Sequence, residues 1–195
     1  MPEPSHGRLS AILLARQLER AAAGDPRAFR SAFRSLYPVV LGFFTARLSG
    51  RADAEDLTSE VFRRLLENLG SFDRRRGSPR AWVLSIARNR LIDHFRTRRP
   101  ETPLEDSEAA LAQGSWSEPD EDDDEILQRV RAALADCPAQ TREMFALRFG
   151  DGLRYAEIAS VLGLSEAAVK QRFSRTLREL RAKARQGAKE VGYAH

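Results

Sequence analysis

The sequence predicts an all-α protein built as two small helical domains. Apolar residues recur at three- and four-residue steps through most of the chain, and no stretch alternates apolar with polar residues as a half-buried strand would. Capping residues and Gly or Pro breaks fall where those periodic runs begin and end. A length of 195 residues fits one medium domain or two small ones.

Composition narrows the function classes. No run of eighteen apolar residues occurs, so membrane insertion is not expected. The start, M-P-E-P-S-H-G-R, has no apolar segment with a small-residue cleavage site, and the expected compartment is the cytoplasm. A lone Cys137 excludes an internal disulfide and a cysteine-based zinc site. Three scattered histidines argue against a metal centre, and no cofactor is expected. No Ser/His/Asp set, metal cluster or Gly-rich phosphate loop points to an enzyme. Charge is uneven: residues 100–125 carry eleven acids and no Lys or Arg. All 32 bases fall outside that stretch, against the 28 acids less those eleven, a surplus of 15. Two basic bodies joined by an acidic strap point to a polyanionic partner.

In chain order, residues 1–24 form a helical extension, Ala- and Leu-rich over 9–23 and closed by Gly24-Asp25-Pro26. The first domain is expected over 25–99. Asp25 caps its first helix with Pro26 in the first turn, and Phe29, Phe33, Leu36 and Tyr37 follow helical spacing. Pro38 predicts a kink or restart before Val39–Leu48. Asp53 opens D-A-E-D-L-T-S-E-V-F-R-R-L-L-E-N-L, whose first-turn acids suit the helix dipole. Leu57, Val61, Leu65 and Leu69 make its core stripe, with Phe62 and Leu66 alongside. The carboxylates of Asp53, Glu55, Asp56 and Glu60 read as a charged docking edge for a protein rather than as metal ligands.

After the loop G-S-F-D-R-R-R-G-S-P, Ser78 and Pro79 start R-A-W-V-L-S-I-A-R-N-R-L-I-D-H-F-R-T-R-R. Leu84, Ala87, Leu91 and Phe95 share one face of this helix, and Trp82, Ser85, Asn89, Asp93 and Arg96 the other. Aromatic and amide groups among arginines suit stacking on unpaired bases with a grip on the backbone. Trp82 equally suits burial against a neighbouring helix, and the arginines a solvated basic face. Residues 100–124 read as a flexible acidic linker. It serves either as a solubilising tether or as a carboxylate mimic of nucleic acid in a basic channel.

The second domain is expected over 125–186, with 187–195 as a fraying tail. A helix E-I-L-Q-R-V-R-A-A-L-A-D stops at Cys137-Pro138, and Ala139–Phe149 makes the next. From Gly152 to Arg181 the pattern is a helix-turn-helix. Ile158, Ala159 and Leu162 face inward, Gly163 supplies the sharp turn, and Ser165 caps a helix whose core face is Val169, Phe173, Leu177, Leu180 and Ala184. Its other face shows Ala167, Gln171, Ser174, Arg175 and Arg178, with Lys170 beside them. Arg and Gln reach base edges and Lys and Ser hold phosphates, as a major-groove recognition helix requires. An ordinary core helix with a solvated basic face is the plainer alternative.

The segment D-A-E-D-L-T-S-E-V-F (53–62), the F-D of the loop (72–73), R-G-S-P-R-A-W-V-L-S-I-A-R-N-R-L-I-D-H-F-R (76–96) and the Y-A-E-I-A…V-K-Q-R-F-S-R block (155–175) together resemble the small two-domain sigma factors of the extracytoplasmic-function group. The resemblance spans about residues 25–185. It implies a region-2-like and a region-4-like domain that bind core RNA polymerase, read the −10 and −35 promoter elements and help melt DNA. By that likeness Asp53, Glu55, Asp56, Leu57, Glu60, Phe62 and Arg63 belong to the polymerase-docking helix. Asn68, Gly70, Ser71, Phe72 and Asp73 match the loop that accepts a flipped-out base. Arg80, Trp82, Arg88, Asn89, Arg90, Asp93, His94, Arg96, Arg98 and Arg99 match the helix on the melting strand. Ser165, Glu166, Ala167, Lys170, Gln171, Arg172, Ser174, Arg175 and Arg178 match the −35-reading positions on duplex DNA. An anti-sigma factor is a further implied partner.

Two departures bear on sequence preference. The family usually has Thr and Ser where this chain has Ala168 and Gln171, which removes a hydroxyl and adds a side chain bidentate toward adenine. Glu166 either accepts from a cytosine amino group or repels phosphate. The competing reading is a stand-alone helix-turn-helix regulator with a sensing or dimerising first domain, which leaves the basic, aromatic-bearing helix at 79–99 without a use.

Overall fold

The computed structural model describes residues 4–75, 77–98 and 134–192, with side chains described from residue 9 to 97 and from 134 to 182 within those ranges. Every regular element among them is helical: α1 (Pro4–Ala22), α2 (Pro26–Thr45), α3 (Arg51–Glu67), a 3-10 turn (Leu69–Ser71), α4 (Pro79–Arg98), α5 (Ala139–Phe145), a π turn (Ala146–Gly150), α6 (Tyr155–Leu162) and α7 (Glu166–Gly192).

Local chemistry sets most of the boundaries. Gly24, at φ +90°, closes α1 in a conformation that costs a side-chain-bearing residue energy. The Asp25 carboxylate then accepts from the N–H groups of Arg27 (2.9 Å) and Ala28 (3.2 Å), meeting two orphan donors of α2. The Ala28 N–H, followed by the Arg20 guanidinium, holds this carboxyl below its ordinary value of 3.8. Ser78 caps α4 by accepting from the N–H of Ala81 (3.2 Å), and Ser165 caps α7 by accepting from that of Ala168 (3.1 Å).

Pro38 does not break its helix. α2 runs unbroken from Pro26 to Thr45, although proline removes the N–H that would bond the carbonyl of Arg34. Leu36, Val40, Phe43 and Phe44 are buried on both sides of it, and that packing carries the helix across the missing bond. α3 starts at Arg51, two residues before Asp53, with Gly50 as an uncapped N-cap. Leu57, Val61, Phe62 and Leu65 are buried as their spacing requires, whereas Leu66 is 50% exposed. Leu69 falls in the 3-10 turn and leaves the helical stripe. The expected helix over 139–149 is α-helical only to Phe145. α7 continues to Gly192 through the stretch read as a tail. The linker at 100–124 and most of the helix read from Glu125 lie outside the described residues.

The two predicted bodies are in contact and share one apolar core. α1, α2, α3 and α4 pack together around Leu18, Leu36, Val40, Phe44, Leu65, Leu84 and Leu91. The second body packs Met144, Phe145, Leu147, Ile158, Val169 and Phe173, with the Phe145 and Phe173 rings 4.5 Å apart. α4 meets α6, so the two sets join in a single cluster. Composition alone had suggested bodies held apart by an acidic strap. A helix packed on several sides shows little one-sidedness in sequence, which hid this contact.

Asp25→Ala is expected to lower the thermal midpoint near neutral pH. A depressed carboxyl value contributes stability that is present above the unfolded-state value and lost as pH falls through the folded one. The gap between variant and wild type therefore narrows on acidification, which thermal melts followed by circular dichroism across pH will check.

Candidate nucleic-acid interface

The helix-turn-helix is set by a short chain of local contacts. The Glu157 carboxylate accepts from the N–H of Arg154 (2.7 Å) at the start of α6. Gly163, at φ +67°, turns the chain in the left-handed region. The Arg148 guanidinium lies over the Tyr155 ring (5.0 Å) and donates to the carbonyl of Leu153 (2.9 Å), tying the π turn to α6. Val169 and Phe173 are buried beneath, so the rotation of α7 is fixed.

That rotation leaves Ala167, Lys170, Gln171, Ser174, Arg175 and Arg178 exposed on one side of α7, together with Ser165, Glu166 and Arg172. The face is not acid-free. Lys170 pairs with Glu166 at 2.6 Å and Arg175 with Glu179 at 3.0 Å, all four side chains being at least 46% exposed. Exposed pairs four residues apart are worth only about 0.3–0.5 kcal/mol, so they hold these side chains weakly. Arg172 points back to Gln140 of α5, whose side-chain oxygen accepts from it. It braces α7 against its own domain.

The first domain presents a loop and a helix side by side. Asn68 donates to the carbonyl of Arg64 (2.8 Å), and Ser71 donates to the carbonyl of Asn68 (2.7 Å), which shapes the 3-10 turn. Asn68, Gly70, Ser71 and Asp73 are exposed. Phe72 is half-buried with its ring 5.2 Å from Trp82. Trp82 thus packs on the loop itself, linking loop to helix. α1 also touches this turn, and Arg74 lies 3.6 Å from Glu19 of α1. The extension that sequence treated as separate therefore buttresses the loop.

The basic residues of α4 divide by what holds them. Arg80, Asn89 and Arg96 are exposed, whereas His94 is half-buried against Phe95. Arg90 is bound to Glu60 of α3 and to Asp93 (3.0 Å), a tie between helices. Arg88 makes a two-pronged bond to Glu143 of α5, at 2.7 and 3.0 Å. The side chain of Arg98, and all of Arg99, lie outside the described residues. On α3, Asp56 and Arg63 are exposed, Asp53 and Glu55 are half-exposed, and Glu55 and Arg63 pair with Arg51 and Glu67. Leu57 and Phe62 are buried, Phe62 4.5 Å from the Phe33 ring, so they position this edge from beneath.

Residues 32–101 match sigma-70 region 2, and residues 127–180 match sigma-70 region 4. The chain is 33% identical over 161 residues to the ECF RNA polymerase sigma factor RpoE of Cereibacter sphaeroides, covering 80% of this chain and 86% of that relative. The chain belongs to the ECF sigma factors. It is also 36% identical over 168 residues to the ECF RNA polymerase sigma factor BldN of Streptomyces coelicolor, covering 84% of this chain but 62% of that longer relative. Among solved structures, CnrH in complex with the cytosolic domain of CnrY is similar at a TM-score of 0.60 and 25% identity, over 89% of this chain and 98% of that one.

Sequence reading missed the residues where the sigma factor's two domains meet. Arg47 donates to Asp151 at 2.8 Å, with side-chain exposures of 2% and 10%. Ser78, the cap of α4, donates to Glu157, the acid that caps α6. These partners lie 104 and 79 positions apart, and no local pattern marks either pair.

Gly163→Ala tests the turn, since nothing lies within 4 Å of an added Cβ and only the backbone conformation opposes it. A loss of about 1–2 kcal/mol is expected for forcing alanine into the left-handed region. Urea denaturation will measure it.

Proposed function

We propose that this sigma factor docks core RNA polymerase through α3 and reads a promoter at two places. The loop from Asn68 to Asp73 and the open side of α4 take the single-stranded −10 element, and the exposed face of α7 takes the duplex −35 element. The functional limits are then 25–99 and 125–186, with α1 added to the first as the brace of its loop. The chain acts as a specificity subunit in the cytoplasm and carries out no chemistry of its own.

The observation that carries this reading is the exposed Gln171, Ser174, Arg175 and Arg178 face on a helix fixed by Ser165, Gly163 and two buried residues. Gln171 and Arg175 have the donor and acceptor geometry for base edges, while Lys170 and Ser174 suit phosphates. In the first domain, Trp82 and Phe72 offer an aromatic surface beside exposed Asn68 and Asn89, a combination suited to an extruded base. Asp53, Glu55 and Asp56 with Arg63 form a charged edge suited to a protein surface. CnrH, similar in fold, was solved with the cytosolic domain of CnrY, and an anti-sigma factor is accordingly a partner proposed for this chain. A stand-alone regulator would leave the loop and the α4 arginines unused.

Reconstitution with core polymerase and sequencing of the transcripts started is the direct test. No change in start sites on adding the chain would overturn the reading. Within it, Arg175→Ala is expected to weaken promoter binding by about 1–3 kcal/mol and relax preference at one −35 position. Lys170→Ala should instead weaken all sequences alike and flatten the salt dependence by about one phosphate's worth. Competition binding with single-base promoter variants across a salt series separates the two.

A further inference from the structure

We propose, independently of the promoter reading, that the outward face of α1 and the cleft beside it form a docking site for the acidic segment 100–125 of the same chain.

α1 is apolar on two opposite sides. Ala15, Leu18 and Ala21 are buried where α1 packs on α2 and its neighbours, as an amphipathic helix requires. Leu9, Ile12 and Leu13, at three- and four-residue steps, lie on the other side and are 61%, 50% and 58% exposed. Single exposed apolar residues are ordinary. Here three of the five large ones exposed among the described residues share one helix face. That spacing is the one by which a helix anchors a second apolar segment.

Basic groups border the stripe. Arg16 continues it by one turn and is exposed. Arg80 and Arg154 line a cleft of about 510 Å³ that Ile12 also lines. None of these three guanidinium groups has an ion-pair partner among the described residues. The carboxylate lining the cleft, that of Glu157, is already engaged, since it accepts from the Ser78 hydroxyl and the Arg154 N–H. An apolar stripe edged by unpaired cations calls for an occupant that is acidic and carries a few large apolar side chains.

Segment 100–125 has that composition: eleven acids, no Lys or Arg, and Leu104, Leu111 and Trp116 set among them. Its reach is sufficient. Arg98 lies about 27 Å along α4 from Arg80. The chain from Arg98 to Leu111 extends to about 45 Å. Tethering also keeps the segment near the site at an effective concentration of order millimolar, so a weak contact is occupied. A second copy of α1 is a poorer occupant. Paired with itself in either direction, α1 sets Arg16 against another arginine or a leucine and offers it no carboxylate. Occupation by the segment covers the stripe that the chain otherwise leaves open to water.

Site-specific photocrosslinking in the full chain tests this. With p-benzoylphenylalanine in place of Leu13, the main product is expected to be intramolecular, and mass spectrometry of its digest should place the far end within 100–125. A probe in place of Ala182, exposed on α7, should give about tenfold less of that product. The yield from position 13 should fall about fivefold in 1 M salt, and by as much when Arg16, Arg80 and Arg154 are all changed to Glu. Changing the acids of 100–125 to Asn and Gln should have the same effect while leaving α1 and the cleft untouched, so the test survives if the arginine variant fails to fold. A crosslinked dimer would make a second copy the occupant and overturn the proposal. So would crosslinks confined to other parts of the chain, or a yield indifferent to salt and to the acid replacements.

Discussion

Helix α4 is the constraint around which the molecule is arranged, because it is packed from several directions and still carries charge. Ala81, Val83, Leu84, Ala87 and Leu91 are fully buried, against α2 and α3 on one part of the surface and α6 on another. The small side chains at 81 and 87 let neighbouring backbones come close. What is left open to solvent is a narrow strip holding Arg80, Asn89 and Arg96, with half-buried Trp82 at its edge against Phe72. The strip, the loop and α1 are mechanically one unit, since Phe72 packs on α4 while α1 supports the turn that carries it.

Legibility in the sequence tracked the range of the interaction. Asp25, Ser78 and Ser165 act within three residues, and the caps read from sequence are the caps observed. The helix-turn-helix was readable for the same reason: a left-handed glycine, a cap and an apolar stripe all fall within about three turns. Pro38 went the other way, because its local preference is outweighed by tertiary burial of Leu36, Val40, Phe43 and Phe44. Leu66 has an apolar side chain yet is half-exposed, since helix spacing narrows the choice of buried face without deciding its width. The seam between domains was illegible. Arg47 with Asp151 and Arg88 with Glu143 look, residue by residue, like ordinary surface charges, and only the fold brings them together.

The candidate sites were legible in kind but not in state. Reading α4 and α7 as basic faces counts charges without saying which are already satisfied. Arg90 is held by Glu60 and Asp93, Arg88 by Glu143, and Arg172 braces α5 through Gln140. The charged edge of α3 shows the same limit, for Leu57 and Phe62 belong to that segment yet are buried beneath it. A motif records which residue types a function needs; burial decides which of them touch the partner and which hold the others in place.

Burial also ranks how easily each arginine is released. The Arg175–Glu179 pair is bathed in water, so giving it up alters little besides the partner. Arg88 and Glu143 are 14% and 1% exposed, and parting them exposes a charge on each side together with the apolar seam. These two kinds of contact respond to different agents. Salt weakens the first readily, whereas the second, being buried, is screened far less. The distribution of buried and exposed ion pairs therefore ties Arg88 to the fold and leaves Arg175 nearly free to change partners.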